Sequence, residues 1–148
     1  MHKKIVFGCD HAGFDLQSSL VRWAEGAGHI VTDCGTFDGR ISVDYPDYAA
    51  KVTEVILAGL ADVGVLICGT GIGMSIAANR HQGIRAALCT TEYEAMMARQ
   101  HNNANILCLG SRVLGDGVAK SCLATFLRTD FQQEHPRHQL RLDLMERT

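Results

Sequence analysis

One short segment concentrates the chemistry of this 148-residue chain: Cys68-Gly-Thr-Gly-Ile-Gly73, which closes the apolar run Val63-Gly-Val-Leu-Ile-Cys68. Three glycines let a backbone turn tightly and aim several N–H groups into one small space. A helix opening there adds partial positive charge at its N-terminus, so the segment suits an anion or a developing oxyanion. A thiol placed directly before such donors is expected to have a lowered pKa and to supply thiolate near neutral pH. The helix then reads Ile72-Gly-Met-Ser75. It offers no carboxylate, which leaves Cys68 as the ionisable base at this tip. The spacing G-x-G-x-G is not the G-x-G-x-x-G of a dinucleotide site, and it follows the third strand rather than the first. The lysine of a phosphate loop is also missing. A tight turn without a ligand is the remaining alternative, and the adjacent thiol argues against it.

Other residues could serve the same site. Asp10-His11 follows the apolar run that ends at Cys9. The pair could hold a hydroxyl and a phosphate, or Asp10 could cap a helix and leave His11 in solvent. His101-Asn102-Asn103 closes a helical segment. There His101 is either a C-cap or a general acid–base group, and position alone favours the cap. Arg112, Arg137 and Arg141 are candidates for gripping an oxyanion. Arg137 and Arg141 share a helical face at i,i+4 with His138 between them, although a solvated tail is the default reading of such a run. Tyr45 is either core or a substrate contact. His2, His29, His81 and His135 read as surface residues, and Cys9, Cys89 and Cys108 as small buried hydrophobes. The six cysteines form no C-x-x-C pair and no zinc spacing, so neither a metal site nor a disulfide scaffold is expected.

The surrounding pattern alternates strand and helix. Strands are expected at 4–9, 29–34, 63–68, 84–89 and 104–109. Helices are expected at 14–26, from Pro46 to Gly59, and at 72–79, 91–100, 117–127 and 137–147. Strands apolar on both faces imply a parallel sheet covered by helices on both sides, with ligands beyond the carboxyl ends of the strands. That rule selects Asp10-His11, Gly35-Thr36, Cys68–Gly73 and Gly110-Ser-Arg112. Apolar residues make up 47% of the chain and charged residues 20%, with a net charge of -2 and a pI near 6.4. Length and composition fit one domain, residues 1–148. The charge argues against nucleic acid as a partner. No apolar run suits a membrane span or a signal peptide, so a cytoplasmic location is expected.

Together, Gly8-Cys-Asp-His-Ala-Gly13, Asp44-Tyr-Pro-Asp-Tyr-Ala49, Cys68–Asn79, Gly83-Ile-Arg-Ala-Ala87, Arg99–Asn105, Gly110-Ser-Arg112 and Arg137-His-Gln-Leu-Arg141 resemble the type B ribose-5-phosphate isomerase family, whose wider circle includes galactose- and allose-6-phosphate isomerases. The resemblance implies a Rossmann-like α/β/α sandwich with a five-stranded sheet and a C-terminal helix. It implies a phosphorylated sugar as substrate, no cofactor, and a homodimer or homotetramer with shared active sites, the tail from about 131 to 148 packing on the partner. It also implies roles. Cys68 is the base that moves a proton between C2 and C1 through a cis-enediolate. The backbone of Gly69, Gly71, Ile72 and Gly73 holds the enediolate oxygens, and Thr70 assists proton movement. His101 of the partner subunit opens the furanose ring with help from Asp10. Asn102 and Tyr45 contact sugar hydroxyls, and His11, Arg112, Arg137 and Arg141 bind the phosphate.

One branch of that family has a glutamate base where Met74 stands, so Cys68 and Met74 together place the chain in the thiol branch. Phe131–Arg137 lacks the glycines that usually precede the Arg-His pair, and 38–42 is variable ground; both bear on the size of sugar accepted. Within the class, a tetrose, allose or galactose phosphate is the alternative to ribose 5-phosphate. A non-catalytic sugar-phosphate sensor and a nicotinamide-binding module are the readings outside it.

Overall fold

Strict alternation in three strands sets the architecture. The computed structural model describes residues 1–148. In β1 (Lys4–Cys9), β3 (Val63–Cys68) and β5 (Ile106–Gly110), every residue except Lys4 is buried. Successive side chains of a strand point to opposite faces, so these strands feed two cores. Ile5, Phe7, Cys9, Val65, Ile67, Leu107 and Leu109 enter one. Val6, Leu66, Cys68, Ile106 and Cys108 enter the other. With β2 (Ile30–Asp33) and β4 (Ala86–Leu88) at its edges, the sheet has the order β2-β1-β3-β5-β4, all parallel.

Helices cover both faces. α1 (Phe14–Gly26), α4 (Glu92–Gln100) and α5 (Asp116–Arg128) bury Leu20, Ala24, Ala95, Ala98, Leu123 and Phe126 in the first core. α2 (Tyr45–Leu57) and α3 (Ile72–Ala78) bury Ala49, Val52, Met74 and Ala78 in the second. α2 lies close on the sheet because Gly8 and Gly64 present no side chain there. A Cβ on either would fall 2.7 and 2.9 Å from Val52 methyls. That close seat fixes where Tyr45, the first residue of α2, can reach. α6 (Pro136–Glu146) ends the fold and buries only His138 and Leu142. No helix is long and apolar enough to cross a membrane.

The Rossmann-like sandwich expected from the sequence is present, with three differences. β2 is not apolar on both faces; it is an edge strand, and Ile30 is 61% exposed. β4 is shorter than the run 84–89. The Ile84 N–H turns back to the His81 carbonyl, and the Arg85 N–H goes to the Asn105 side chain at 2.8 Å, so the ladder starts at Ala86. Of the four histidines read as surface, only His2 is exposed; His29, His81 and His135 are half-buried. His29 accepts the Lys3 N–H at 3.1 Å and so ties β2 to the chain's start.

Phe126 is fully buried, and Arg99 of α4 lies over its ring at 5.6 Å. Phe126→Ala is expected to cost about 3–5 kcal/mol, read as a lower midpoint in urea with an unchanged slope.

Candidate active site

β1, β3 and β5 are neighbours, so the turns that follow them meet at one edge of the sheet. Ser111 and Arg112 donate their N–H groups to the carbonyls of Cys68 and Gly69, each at 2.9 Å, and the Asp10 N–H reaches the Ile67 carbonyl at 3.3 Å. The Ser111 hydroxyl donates to the Ala12 carbonyl at 2.7 Å and clamps the first turn to the third. Nothing in the sequence pattern marks Ser111 for that task. Asp10 is buried and accepts the Gly13 N–H at 3.1 Å. It is no helix cap, because Gly13 holds that position in α1.

Cys68 sits at the centre of this edge. Its side chain enters the α2/α3 core, 5% exposed, and its sulfur accepts the Gly71 N–H at 3.2 Å. Gly71 has φ +78°, and a Cβ there would lie 2.6 Å from Leu88 and 2.9 Å from the Leu109 backbone. Only glycine meets both demands. Burial pushes the other five thiols up. Cys9 and Cys89 rise to about 12, with the carboxylates of Asp33 and Glu94 adding to the effect, and Cys122 rises to about 11. Cys34 and Cys108 move the same way. The Cys9 and Cys89 thiols donate to carbonyls, whereas the Cys68 sulfur receives a donor. Met74 is fully buried in the same core as Cys68, so this position offers the site no carboxylate.

The loop retains donors to spare. The Ile72 N–H goes to the Thr70 hydroxyl at 3.2 Å, while the N–H groups of Gly69, Thr70 and Gly73 have no protein acceptor. The Tyr45 ring lies against Gly73, in space a side chain there would fill, with ring atoms 2.6–3.0 Å from the Cβ position. Tyr45 is 38% exposed, which places it on the rim rather than in the core. The Arg112 guanidinium lies over Gly69, 3.2 Å from its Cβ position. His11 accepts the Val43 N–H on Nδ1 at 3.2 Å and holds down the 35–43 loop. In neutral His11 that bond leaves the proton on Nε2, free to donate.

The rest of the expected set lies at the opposite edge. His101 caps α4, its N–H on the Met97 carbonyl at 2.9 Å. The chain then enters β5 past Asn105, whose carbonyl accepts the Gly64 N–H at 2.9 Å. Gly64 and Cys68 open and close the same strand face, about 13 Å apart at the usual rise. Within one chain, His101 and Asn102 therefore sit near the amino ends of the strands and Cys68 near the carboxyl ends. Arg137 and Arg141 lie on α6 with the His101 group, through the stacked rings of His101 and His138. A cleft of about 810 Å³ at that end is lined by Arg80, Arg85, Asn102 and Arg147 and does not include Cys68. No carboxylate lies within ion-pair distance of Arg112, Arg137 or Arg141. The geometry thus gathers Asp10, His11, Tyr45, Cys68–Gly73 and Arg112 in one half-site, and His101, Asn102, Arg137 and Arg141 in another.

Gly71→Ala tests the thiol's donor. Forcing an L-residue to φ +78° costs about 1–3 kcal/mol before any clash. The variant should melt lower by several degrees and react differently at Cys68 with a small alkylating agent.

Known proteins share this fold. The description "Ribose/Galactose Isomerase" belongs to a family profile that matches residues 5–145. Ribose-5-phosphate isomerase B of Escherichia coli is 46% identical over 141 residues, covering 95% of this chain and 93% of that one. The galactose-6-phosphate isomerase subunit LacB of Clostridium acetobutylicum is 36% identical over 86% of this chain and 73% of its own length. Among solved structures, a ribose 5-phosphate isomerase from Thermotoga maritima superposes with a TM-score of 0.96 at 48% identity over the whole of both chains. With nearly its full length matched, the thiol-bearing strand end and the fold around it included, the chain belongs to the ribose/galactose isomerase family.

Proposed function

We propose that this chain interconverts ribose 5-phosphate and ribulose 5-phosphate by proton transfer, with Cys68 as the base. The observation that carries the reading is the Cys68 sulfur, buried at the end of a central strand, facing a backbone N–H and flanked by unengaged donors. The closeness of the ribose-5-phosphate isomerases among its relatives supports the pentose over the hexose. The Cys68 thiolate removes the proton from C2 of the open-chain aldose, and the electrons flow through C1 to its oxygen. The resulting cis-enediolate is held by N–H groups between Gly69 and Gly73. Return of the proton to C1 and loss of the O2 proton leave the ketose, with the Thr70 hydroxyl passing protons between the two oxygens. Each well-placed donor to such an oxyanion contributes about 2.7–4 kcal/mol.

The second half-site comes from a partner. His101 cannot reach a sugar held at Cys68 of its own chain, so a homodimer in which His101, Asn102, Arg137 and Arg141 of one subunit face Cys68 of the other completes the constellation. Exposed apolar residues support it. Ile72 and Ile76 of α3 are 51% and 56% exposed at i,i+4, and Leu140 and Leu144 of α6 are 57% and 47% exposed at the same spacing. In this reading 1–148 is a single isomerase domain whose tail from about residue 131 lies against the partner. His101, with Asp10, opens the furanose ring; His11 and the three unpaired arginines take the phosphate, and Tyr45 and Asn102 take hydroxyls.

Cys68→Ala should fold as wild type and lose about 10²–10⁴ in turnover of ribose 5-phosphate, the usual worth of a positioned acid–base group. Near-native turnover would exclude Cys68 as the base. A panel of tetrose, pentose and hexose phosphates then ranks the substrates, with the pentose expected to give the highest kcat/KM. Mixing unfolded Cys68→Ala and His101→Ala chains and refolding them together should restore about a quarter of wild-type activity, because in a two-fold dimer the mixed pair contains one intact site. No recovery would place both residues in one chain's site or in none.

A further inference from the structure

His138 is the third residue of α6 and 3% exposed, and its Nε2 has no hydrogen-bond partner. A buried imidazole nitrogen without a partner is costly unless its placement serves something else. Its ring lies face to face on His101, centroids 4.4 Å apart and planes 17° from parallel. His135, the residue that caps α6, meets His138 edge-on at 5.8 Å. The contact is anchored on both sides: the Gln132 N–H donates to the Gln100 carbonyl, and Arg99 Nε donates to the Thr129 carbonyl at 3.2 Å. The groups that face His138 are thus His101 from α4 and His135, Arg137 and Arg141 from α6. All are cationic or able to become so. Burial first, and those neighbours after it, hold the His138 imidazole below its usual range, so the ring stays uncharged at neutral pH.

We propose that His138 is a positioning residue for His101: its ring, stacked on the His101 face, fixes the plane in which His101 acts on the sugar ring. Two stacked imidazoliums repel each other, and an uncharged His138 removes that repulsion from the contact. The same helix carries Arg137 and Arg141 on its exposed side. His138 therefore couples the phosphate grip to the ring-opening group through one rigid turn of α6. The inference rests on the isomerase reading given above and extends it to a residue with no direct contact to the sugar.

The chemistry supplies a readout that a merely structural role would not move. The pentose aldose closes to a furanose, whereas its 2-keto isomer has no free C5 hydroxyl and stays open-chain. Forming the enediolate from the bound ketose needs Cys68 but no ring opening. Two rates are measured in heavy water: deuterium entry at C1 of ribulose 5-phosphate, and conversion of ribose 5-phosphate. His138→Leu keeps the volume and removes the flat ring. It is expected to lower conversion at least tenfold, as small misplacements of catalytic groups do, while deuterium entry stays within about threefold of wild type. His138→Phe restores the stack and should recover conversion, with the acid limb of the pH profile where wild type has it.

Equal loss of exchange and conversion in His138→Leu would overturn the proposal in favour of a structural role. Unchanged conversion would overturn it as well, and so would a Phe variant that fails to recover or shifts the acid limb. A wild-type chain that shows neither exchange nor conversion overturns the isomerase reading itself, a result distinct from all of these.

Discussion

Parallel strands force every strand-to-helix turn to the same edge of the sheet. From that constraint follows the placement of Asp10, Cys68 and Arg112, which come from β1, β3 and β5 and become neighbours only because the sheet order sets those strands side by side. The same constraint sends each helix-to-strand return to the far edge, and His101 lies on such a return. With the roles proposed above, a single chain could bring the thiol to a sugar, or the imidazole, but not both to the same sugar. Under the proposed assignment, sharing between two subunits would resolve the conflict without bending the sheet, and the exposed isoleucines of α3 border the half-site that would be shared.

Within the first half-site, the thiol is one of five that are buried in this fold. What distinguishes Cys68 is a backbone N–H aimed at its sulfur. That donor depends on Gly71 adopting a left-handed backbone in a slot between Leu88 and Leu109 too tight for any side chain. The glycine thus shapes the turn and also keeps room for the donor. Gly69 and Gly73 leave space of another kind, which Arg112 and Tyr45 fill from the two sides of the loop.

Much of this was legible in the residues. The central strands announce themselves because they are apolar on both faces, and the strand-end rule then singles out Cys68 and its glycines. The edges were less legible. β2 is short and exposed; β4 loses Arg85 to the Asn105 side chain, and its first residue, Ala86, has its N–H satisfied by Asn79 in place of a strand neighbour. Those are pairings between residues 7 and 20 positions apart, invisible to local periodicity. The fit of His11 to Val43, the clamp from Ser111 to Ala12 and the stack of His138 on His101 are of the same kind. Helical spacing put His138 between two arginines and gave its face, but the ring it meets comes from another helix. Tyr45 could be read as core or as a substrate contact; its ring rests at the rim, in the space that Gly73 leaves free.

The two half-sites also differ in how firmly the chain holds them. β3, up to Cys68, is bonded into the middle of the sheet between β1 and β5, and its amides exchange only when those strands separate, which is to say on global unfolding. α6 buries two residues out of eleven, and beyond the His101–His138 stack an ion pair from Glu146 to Arg85 at 3.6 Å ties its last turn to the body. Under the proposed assignment, proton transfer rests on the most persistent part of the molecule, and the share of the phosphate grip held by Arg137 and Arg141 on a helix with a small buried face. Turnover and substrate retention would then respond to temperature separately, retention failing while the thiol's surroundings are still whole.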